Sequence, residues 1–251
     1  MRKIKSLGME IELAVYHKGE PTVCYFLAHT KRNPLNIKGH LVHKDASMLE
    51  IAMPPAKSGA ELDQIQFDAM QHARSVLPRD VVLDANPAVH YTTEELDRDP
   101  YASVLGCGAS QNIYGNKPMP DAYTDNYRYG GMHVNIGMEK DNVIEDVLRL
   151  DYALGLQSVI NWEQGFRDSV VRRRKTYGRA GEYRTKPFGI EYRTLPNCAQ
   201  MSGMWLWRTI EAALNIPDAP LLHMSEHIEA AINECDRTAA EELLGEGLLN
   251  V

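Results

Sequence analysis

The stretch Leu7-Gly-Met-Glu-Ile-Glu-Leu-Ala-Val15 decides the fold class. Leu7, Met9, Ile11, Leu13 and Val15 fall on one side of an extended chain, and Gly8, Glu10, Glu12 and Ala14 on the other. That period of two marks a strand with one buried face. Working outward, the same alternation returns three times. Over Ser47 to Met53, Leu49, Ile51 and Met53 oppose Met48, Glu50 and Ala52; Pro54-Pro55 ends the run, because proline cannot continue a ladder. Over Met132 to Met138, Met132, Val134, Ile136 and Met138 oppose His133, Asn135 and Gly137. Over Phe188 to Leu195, Ile190 and Tyr192 oppose Glu191 and Arg193.

Helical spacing fills much of the remainder. Ala60 to Leu77 carries Leu62, Ile65, Ala69, Met70, Ala73 and Val76, and Pro78 follows. Asp141 to Trp162, Met204 to Leu214 and Ser225 to Leu244 read as three more helices, and Val81 to Leu83 as a short strand. Tyr91 to Tyr129, rich in Gly, Pro, Asn, Asp and Tyr, is too long for an ordinary connection and reads as a structured functional loop or lid. Strands and helices without a regular alternation predict an α+β class with a mostly antiparallel sheet. The 251 residues are expected to form one domain ending in a helical segment over about 201–251.

Composition excludes several classes. The chain is 44% hydrophobic and 24% charged, ordinary for a folded domain, which rules out a low-complexity or disordered chain. A net charge of −7 argues against a general duplex-nucleic-acid binder, which needs excess Lys and Arg for phosphates. No apolar run reaches the roughly 18 residues of a membrane span, and Glu10 and Glu12 interrupt what would be a signal-peptide core. Cys24, Cys107, Cys198 and Cys235 form no CxxC pair, so free thiols in a cytoplasmic setting are expected.

The chemistry lies on the polar faces of the four strands. They hold Glu10 and Glu12, then Glu50, then His133 and Asn135, then Glu191 and Arg193. Residues two apart on a strand point the same way, and two carboxylates that close repel unless a cation or proton lies between them. A solvated sheet face would mix in Lys, Thr and Ser; strand one has only acids and small residues there. If the strands share a sheet, carboxylates and one imidazole converge, a donor set suited to Mg²⁺ or Mn²⁺.

A second feature is basic. Arg172 to Lys186, which includes Arg174, Tyr177 and Arg184, is the one dense basic run, and its glycines and tyrosines read as a loop closing over an anion such as a nucleotide triphosphate. The alternatives are a solvated loop or an RNA-binding arm, and no aromatic recognition motif accompanies the run. Gly106-Cys107-Gly108-Ala109-Ser110 lacks the lysine of a P-loop. Cys107 reads as a structural thiol rather than a nucleophile, His40 and His43 as hydrogen-bonding histidines rather than ligands, and Trp162, Trp205 and Trp207 as core.

Four signatures together resemble the phage-associated COOH–NH2 ligase type 2 group, which is related to glutamate–cysteine ligases and has a glutamine synthetase-like fold. They are Gly8-Met-Glu-Ile-Glu12, Asp45-Ala-Ser-Met-Leu-Glu-Ile51, Gly130-Gly-Met-His-Val-Asn-Ile-Gly137, and Tyr177-Gly-Arg-Ala-Gly-Glu-Tyr-Arg184 running into Gly189-Ile-Glu-Tyr-Arg-Thr-Leu-Pro-Asn197; Gly106-Cys107 resembles a loop motif of the same group. The resemblance spans about residues 7 to 200. It implies a curved sheet with a carboxylate-lined concave face and helices on the other side. It also implies an ATP-dependent ligase that activates a carboxylate as an acyl phosphate for attack by an amine. Metal-binding roles carry over onto Glu10, Glu12, Glu50, His133 and Glu191. Nucleotide-phosphate contacts carry over onto Arg174, Tyr177, Arg184 and Arg193, with Glu191, Arg184 and Arg193 at the reacting groups. The group usually shows His-x-His in the third strand; here the second position is Asn135, whose amide oxygen can ligate a hard cation but cannot act as a base.

Small-molecule or peptide carboxylates and amines are the partners this implies, in the cytoplasm of a bacterial host if the chain is phage-encoded. Nucleic acid is not expected as a general partner, a modified base stays open as a substrate alongside a cell-wall peptide or a small amino compound, no membrane is expected, and assembly into a homo-oligomer stays open. Two other functions fit the same residues: a guanidino-kinase-like phosphotransferase, and a metal- and nucleotide-binding module without turnover.

Overall fold

The computed structural model describes residues 2–104, 108–115 and 125–249. Its strands are β1 (Ser6–His17), β2 (Glu20–Thr22), β3 (Leu35–Ile37), β4 (His40–Asp45), β5 (Met48–Ala52), β6 (Val81–Asp84), β7 (Ala88–His90), β8 (Gln111–Asn112), β9 (Tyr127–Tyr129), β10 (Met132–Gly137), β11 (Glu182–Lys186) and β12 (Gly189–Tyr192). The helices are α1 (Gly59–Val76), α2 (Thr93–Leu96), α3 (Val143–Leu150), α4 (Leu156–Ser158), α5 (Arg167–Thr176), α6 (Gly203–Ala213), α7 (Asp218–Asn233) and α8 (Arg237–Gly245). The class is mixed α and β, with a large antiparallel sheet in the order β3-β4-β5-β1-β10-β12-β11-β8. β2 and β6 pair with the far end of β1, and β7 and β9 form a separate pair. No helix among the described residues is long and apolar enough to cross a membrane.

The period-two pattern becomes two faces. Leu7, Met9, Met132, Val134, Ile136, Ile190 and Tyr192 turn their side chains into a core shared with Leu62 of α1, Val147 and Leu150 of α3, and Leu206 and Ile210 of α6. Each fully buried Leu or Ile there contributes about 1.5–3 kcal/mol over its exposed form. The opposite face is left for the polar residues. α1 starts where Ser58 accepts from the Glu61 amide (3.2 Å) and the Glu61 carboxylate accepts from the Lys57 amide (2.7 Å), a variant of the capping box. It ends before Pro78, as its pattern predicts.

Three expected elements differ from the structure. Asp141 to Trp162 is not one regular helix: π-helical turns at Asp151–Gly155 and Val159–Glu163 interrupt it. Ser225 to Leu244 is two helices, because Cys235 takes φ 52° and Asp236 caps α8 by accepting from the Ala239 amide (3.1 Å). The basic run is not one loop. Arg172 to Thr176 closes helix α5 and Glu182–Lys186 is strand β11, so only the five residues between them form a connection. Within Tyr91 to Tyr129 the described part holds α2, a 3-10 turn at Pro100–Ser103, β8 and β9; Gly106 and Cys107 lie outside the described residues.

Candidate active site

Register alone assembles the site. Glu10 pairs with His133, Glu12 with Glu50, Asn135 with Glu191, and Glu191 with Arg184. These residues sit on adjacent strands in the order β5, β1, β10, β12, β11, all on the face away from the helices. A two-residue turn at Ala46-Ser47, with Ala46 at φ 50°, fixes β4 against β5 and sets His43 opposite Glu50.

At one end lies an acidic cluster. Glu12, Asp45 and Glu50 offer carboxylate oxygens all within 4.8 Å of one another. Glu12 Oε2 is held by the Tyr177 hydroxyl (2.6 Å) and the Gly131 amide (2.7 Å). Lys31 Nζ reaches Glu50 Oε2 (3.2 Å) and Asp45 Oδ2 (3.6 Å), and His43 Nε2 lies 3.6 Å from Glu50 Oε1. Burial and then the Asp45 charge push the Glu50 carboxyl well above the ordinary range, and Lys31 offsets this only in part. The cluster holds more negative charge than its neighbours neutralise.

At the other end lie Glu10, His133 and Glu191, again with ligand atoms within 4.8 Å. Here cations crowd the acid. Lys186 Nζ is 2.6 Å from Glu191 Oε2, Arg184 is 3.7 Å from Oε1, and Arg193 donates to Oε1 while lying 3.4 Å from His133 Nδ1. Burial acts to raise Glu191, but Arg193, His133 and Lys186 outweigh it and hold its carboxyl below the usual range. Glu10 is also low: burial is overcome by His133, Lys31 and the Asn135 amide, which donates to Glu10 Oε1 at 3.1 Å. Asn135 therefore positions Glu10.

The structure brings Glu10, Glu12, Glu50, His133, Glu191, Arg184 and Arg193 to one face, and does not bring Arg174 there. Its guanidinium forms a buried fork with Glu163 (2.8 and 2.9 Å) and donates to the Ile232 carbonyl at 2.5 Å, on the helical side. The expected phosphate contact at Arg174 is thus replaced by a helix-to-helix ion pair. Tyr177 reaches the site, but as the residue that holds Glu12; its ring lies against the Arg173 guanidinium, 4.5 Å from the centroid. Arg173, fully buried, donates to the carbonyls of Gly178, Thr194 and Leu195 and so fixes the chain that carries Arg193. Gly178, at φ 72°, has the Arg173 guanidinium where a Cβ would stand, 2.0 Å from Nη1.

Sequence pattern leaves out Asp45 as a donor and Lys31 altogether; it sets His43 aside as a hydrogen-bonding histidine and places Lys186 only within the basic run. Asp45 and His43 lie on β4 and Lys186 on β11, strands without a clear apolar–polar alternation; Lys31 lies in the segment before β3 and carries no periodic signal. His40 is a hydrogen-bonding histidine, with Nε2 3.1 Å from the Ile65 carbonyl. Cys24, Cys198 and Cys235 are free thiols, and Trp162 and Trp205 meet edge to face against the main core. Both clusters fit a divalent cation by donor type: hard carboxylate oxygens and one imidazole. Two observations support that fit. The Lys31 ammonium already lies against the first cluster as a cation, and His133 Nε2 is buried with no hydrogen-bond partner among the described residues.

Residues 119–212 match the family model described as phage phiEco32-like COOH.NH2 ligase-type 2, a span that includes the third and fourth signatures and not the first two. No curated protein matches the chain. Among solved structures, a bifunctional glutathione synthetase from Pasteurella multocida is 12% identical at a TM-score of 0.39, covering 97% of this chain and 49% of its own. The complex between Prokaryotic Ubiquitin-like Protein Pup and its ligase PafA gives 14% identity, a TM-score of 0.44, and coverage of 93% and 51%. A novel glutamine synthase homolog gives 10%, 0.36, and coverage of 98% and 67%. The chain spans about half the length of the first two. The family to which the motifs point and the family whose model matches are one and the same, the phage phiEco32-like COOH.NH2 ligases of type 2.

Proposed function

We propose that this chain, as a single domain, is an ATP-dependent carboxylate–amine ligase that needs Mg²⁺ or Mn²⁺. The observation that carries the reading is one sheet face with two carboxylate clusters, one of which adjoins Arg184, Lys186 and Arg193 through Glu191. Glu10, His133 and Glu191 would hold one cation, and Glu12, Glu50 and Asp45 a second. Such a cation, when bound, neutralises the oxygens of a transferring phosphoryl group. Arg184 and Arg193 present guanidinium donors beside the same point, where charge develops on the γ-phosphate. The substrate carboxylate oxygen attacks the γ-phosphorus and ADP leaves, giving an acyl phosphate. The amine nitrogen then attacks the acyl carbon, loses a proton, and phosphate leaves with the C–O bond broken. Tyr177 and the Gly131 amide keep Glu12 in place, and Asn135 keeps Glu10.

The test is ATP turnover with Mg²⁺ or Mn²⁺ against a pool of amino acids, short peptides and polyamines, with products read by mass. A new amide mass with released phosphate, lost when the metal is withheld, is the expected result. A stable phosphorylated substrate would replace this reading with guanidino-kinase-like chemistry, and nucleotide binding without any product with a binding module.

A further inference from the structure

Lys31 stands at a boundary. Its side chain is about half exposed (49%), while its ammonium lies 3.2 Å from Glu50 and 3.6 Å from Asp45. Glu50 beneath it is 2% exposed in its side chain. The ammonium thus caps the Glu12–Asp45–Glu50 cluster from the open side. On its other flank Lys31 lines a cleft of about 390 Å³, with Thr30, Arg32, Lys44, Asp45 and Tyr101. The acid of that lining is Asp45, which belongs to the cluster; the remaining charged groups are cationic, with Lys44 lying 2.5 Å from Asp99 and 5.0 Å from the centre of the Tyr101 ring.

One ammonium cannot balance three carboxylates. A divalent cation would balance them better and would use the same oxygens. An ammonium and a divalent cation sharing Glu50 and Asp45 at bonding distance repel each other strongly in a half-buried setting. The long, flexible lysine stem lets the ammonium move while its carbons stay packed. Among the described residues it also lines the cleft, whose other charged side chains are Arg32, Lys44 (paired with Asp99) and Asp45, so that Arg32 is the cation there with which a displaced ammonium could share an anion.

Resting on the metal-dependent reading above, we propose that Lys31 is an exchangeable counter-ion. Its ammonium occupies the Glu12–Asp45–Glu50 cluster until a divalent cation displaces it, and it then completes a subsite in the adjoining cleft for an oxyanion of the substrate, a carboxylate or a phosphoryl group. The subsite would be formed only once the metal is in place, so the anion would bind after the cation.

The proposal gives Lys31→Met effects of opposite sign on two ligands. Mn²⁺ titration of the full chain, read by the resonance of the free ion, should show about tenfold tighter binding at one step in Lys31→Met. Asp45→Asn assigns that step by removing it and leaving the other. At saturating Mn²⁺, glutarate and inorganic phosphate are titrated separately. One of them should bind about tenfold more weakly to Lys31→Met, and which one identifies the group the cleft receives. Lys31→Arg keeps the charge and should stay near the parent on both readings. Damage to the fold would weaken both ligands together and would overturn the proposal, as would Mn²⁺ affinity unchanged in Lys31→Met, or both anions unaffected. A parent chain that binds no Mn²⁺ would overturn the metal reading itself, and this inference with it.

Discussion

At one end of the carboxylate face, Glu12, Asp45 and Glu50 share a single ammonium, from Lys31; at the other, Glu191 is approached by Arg184, Lys186 and Arg193. Both ends are built from the same device, acids brought together on adjacent strands by antiparallel register. Their surroundings push the carboxyls in opposite directions, Glu50 up and Glu191 down. The acidic end is short of positive charge and suits a cation. The basic end carries both signs: Glu10, His133 and Glu191 present ligands for a second cation, and Arg184, Lys186 and Arg193 around Glu191 can meet an anion held there. A polyanion bound through metal would thus be oriented along the face by charge alone.

The comparison can be broken most decisively at Glu191. Replacing it with Gln leaves three cations without their shared acid, and ATP turnover should fall at least about a hundredfold, measured as phosphate release. Next in size is Gly178→Ala. A methyl group must enter the space of the Arg173 guanidinium at a left-handed φ. Stability should drop by about 2–4 kcal/mol in urea unfolding, and Arg193 should lose its fixed position with it. A smaller effect is expected at Asn135→Ala, which removes the donor that steers Glu10. Mn²⁺ affinity at the Glu10–His133–Glu191 step should weaken roughly tenfold, while the Glu12–Asp45–Glu50 step stays as it was. If both steps weaken alike, the two ends are not separate sites.

A control lies away from the face. Asp151 is fully buried, and burial lifts its carboxyl to about 7 despite hydrogen bonds from Tyr192 and Thr194. Its folded value lies above the ordinary 3.8, so the folded state keeps a proton that the unfolded chain gives up. That stabilisation is complete below the unfolded value and is lost as pH rises toward 7. Between pH 5 and pH 8 the parent chain should therefore lose more unfolding free energy than Asp151→Asn. Equal losses would show that Asp151 is ionised throughout.

Much of this face is legible in the sequence because its signal is local. The alternation over Leu7 to Val15 gives β1 to within two residues at each end, and it places Glu10 and Glu12 on the polar side. β5 and β10 match their patterns to within one residue at each end, and β12 ends at Tyr192, three residues before its pattern does. What is not legible depends on distant pairing. Asp45 and His43 join the site only because the turn at Ala46-Ser47 folds β4 back onto β5. Arg174 looks like its basic neighbours in the sequence, but helix α5 turns it toward Glu163, eleven positions earlier, and away from the sheet face. The basic run looks like a loop because its glycines stand out, although Gly178 and Gly181 mark only the short turn between a helix and a strand. Cys235 breaks a helix through a left-handed residue and an Asp cap, both hidden inside a continuous apolar pattern.

The most direct test of the divided face sets two conservative substitutions side by side. Urea unfolding of Glu50→Gln and Glu191→Gln is measured at pH 7 with chelator present. Neutralising Glu50 relieves repulsion and should stabilise the metal-free chain by about 1 kcal/mol, whereas neutralising Glu191 strands the buried Arg193 guanidinium and should destabilise it by roughly 3 kcal/mol. Shifts of the same sign in the two variants would contradict the account.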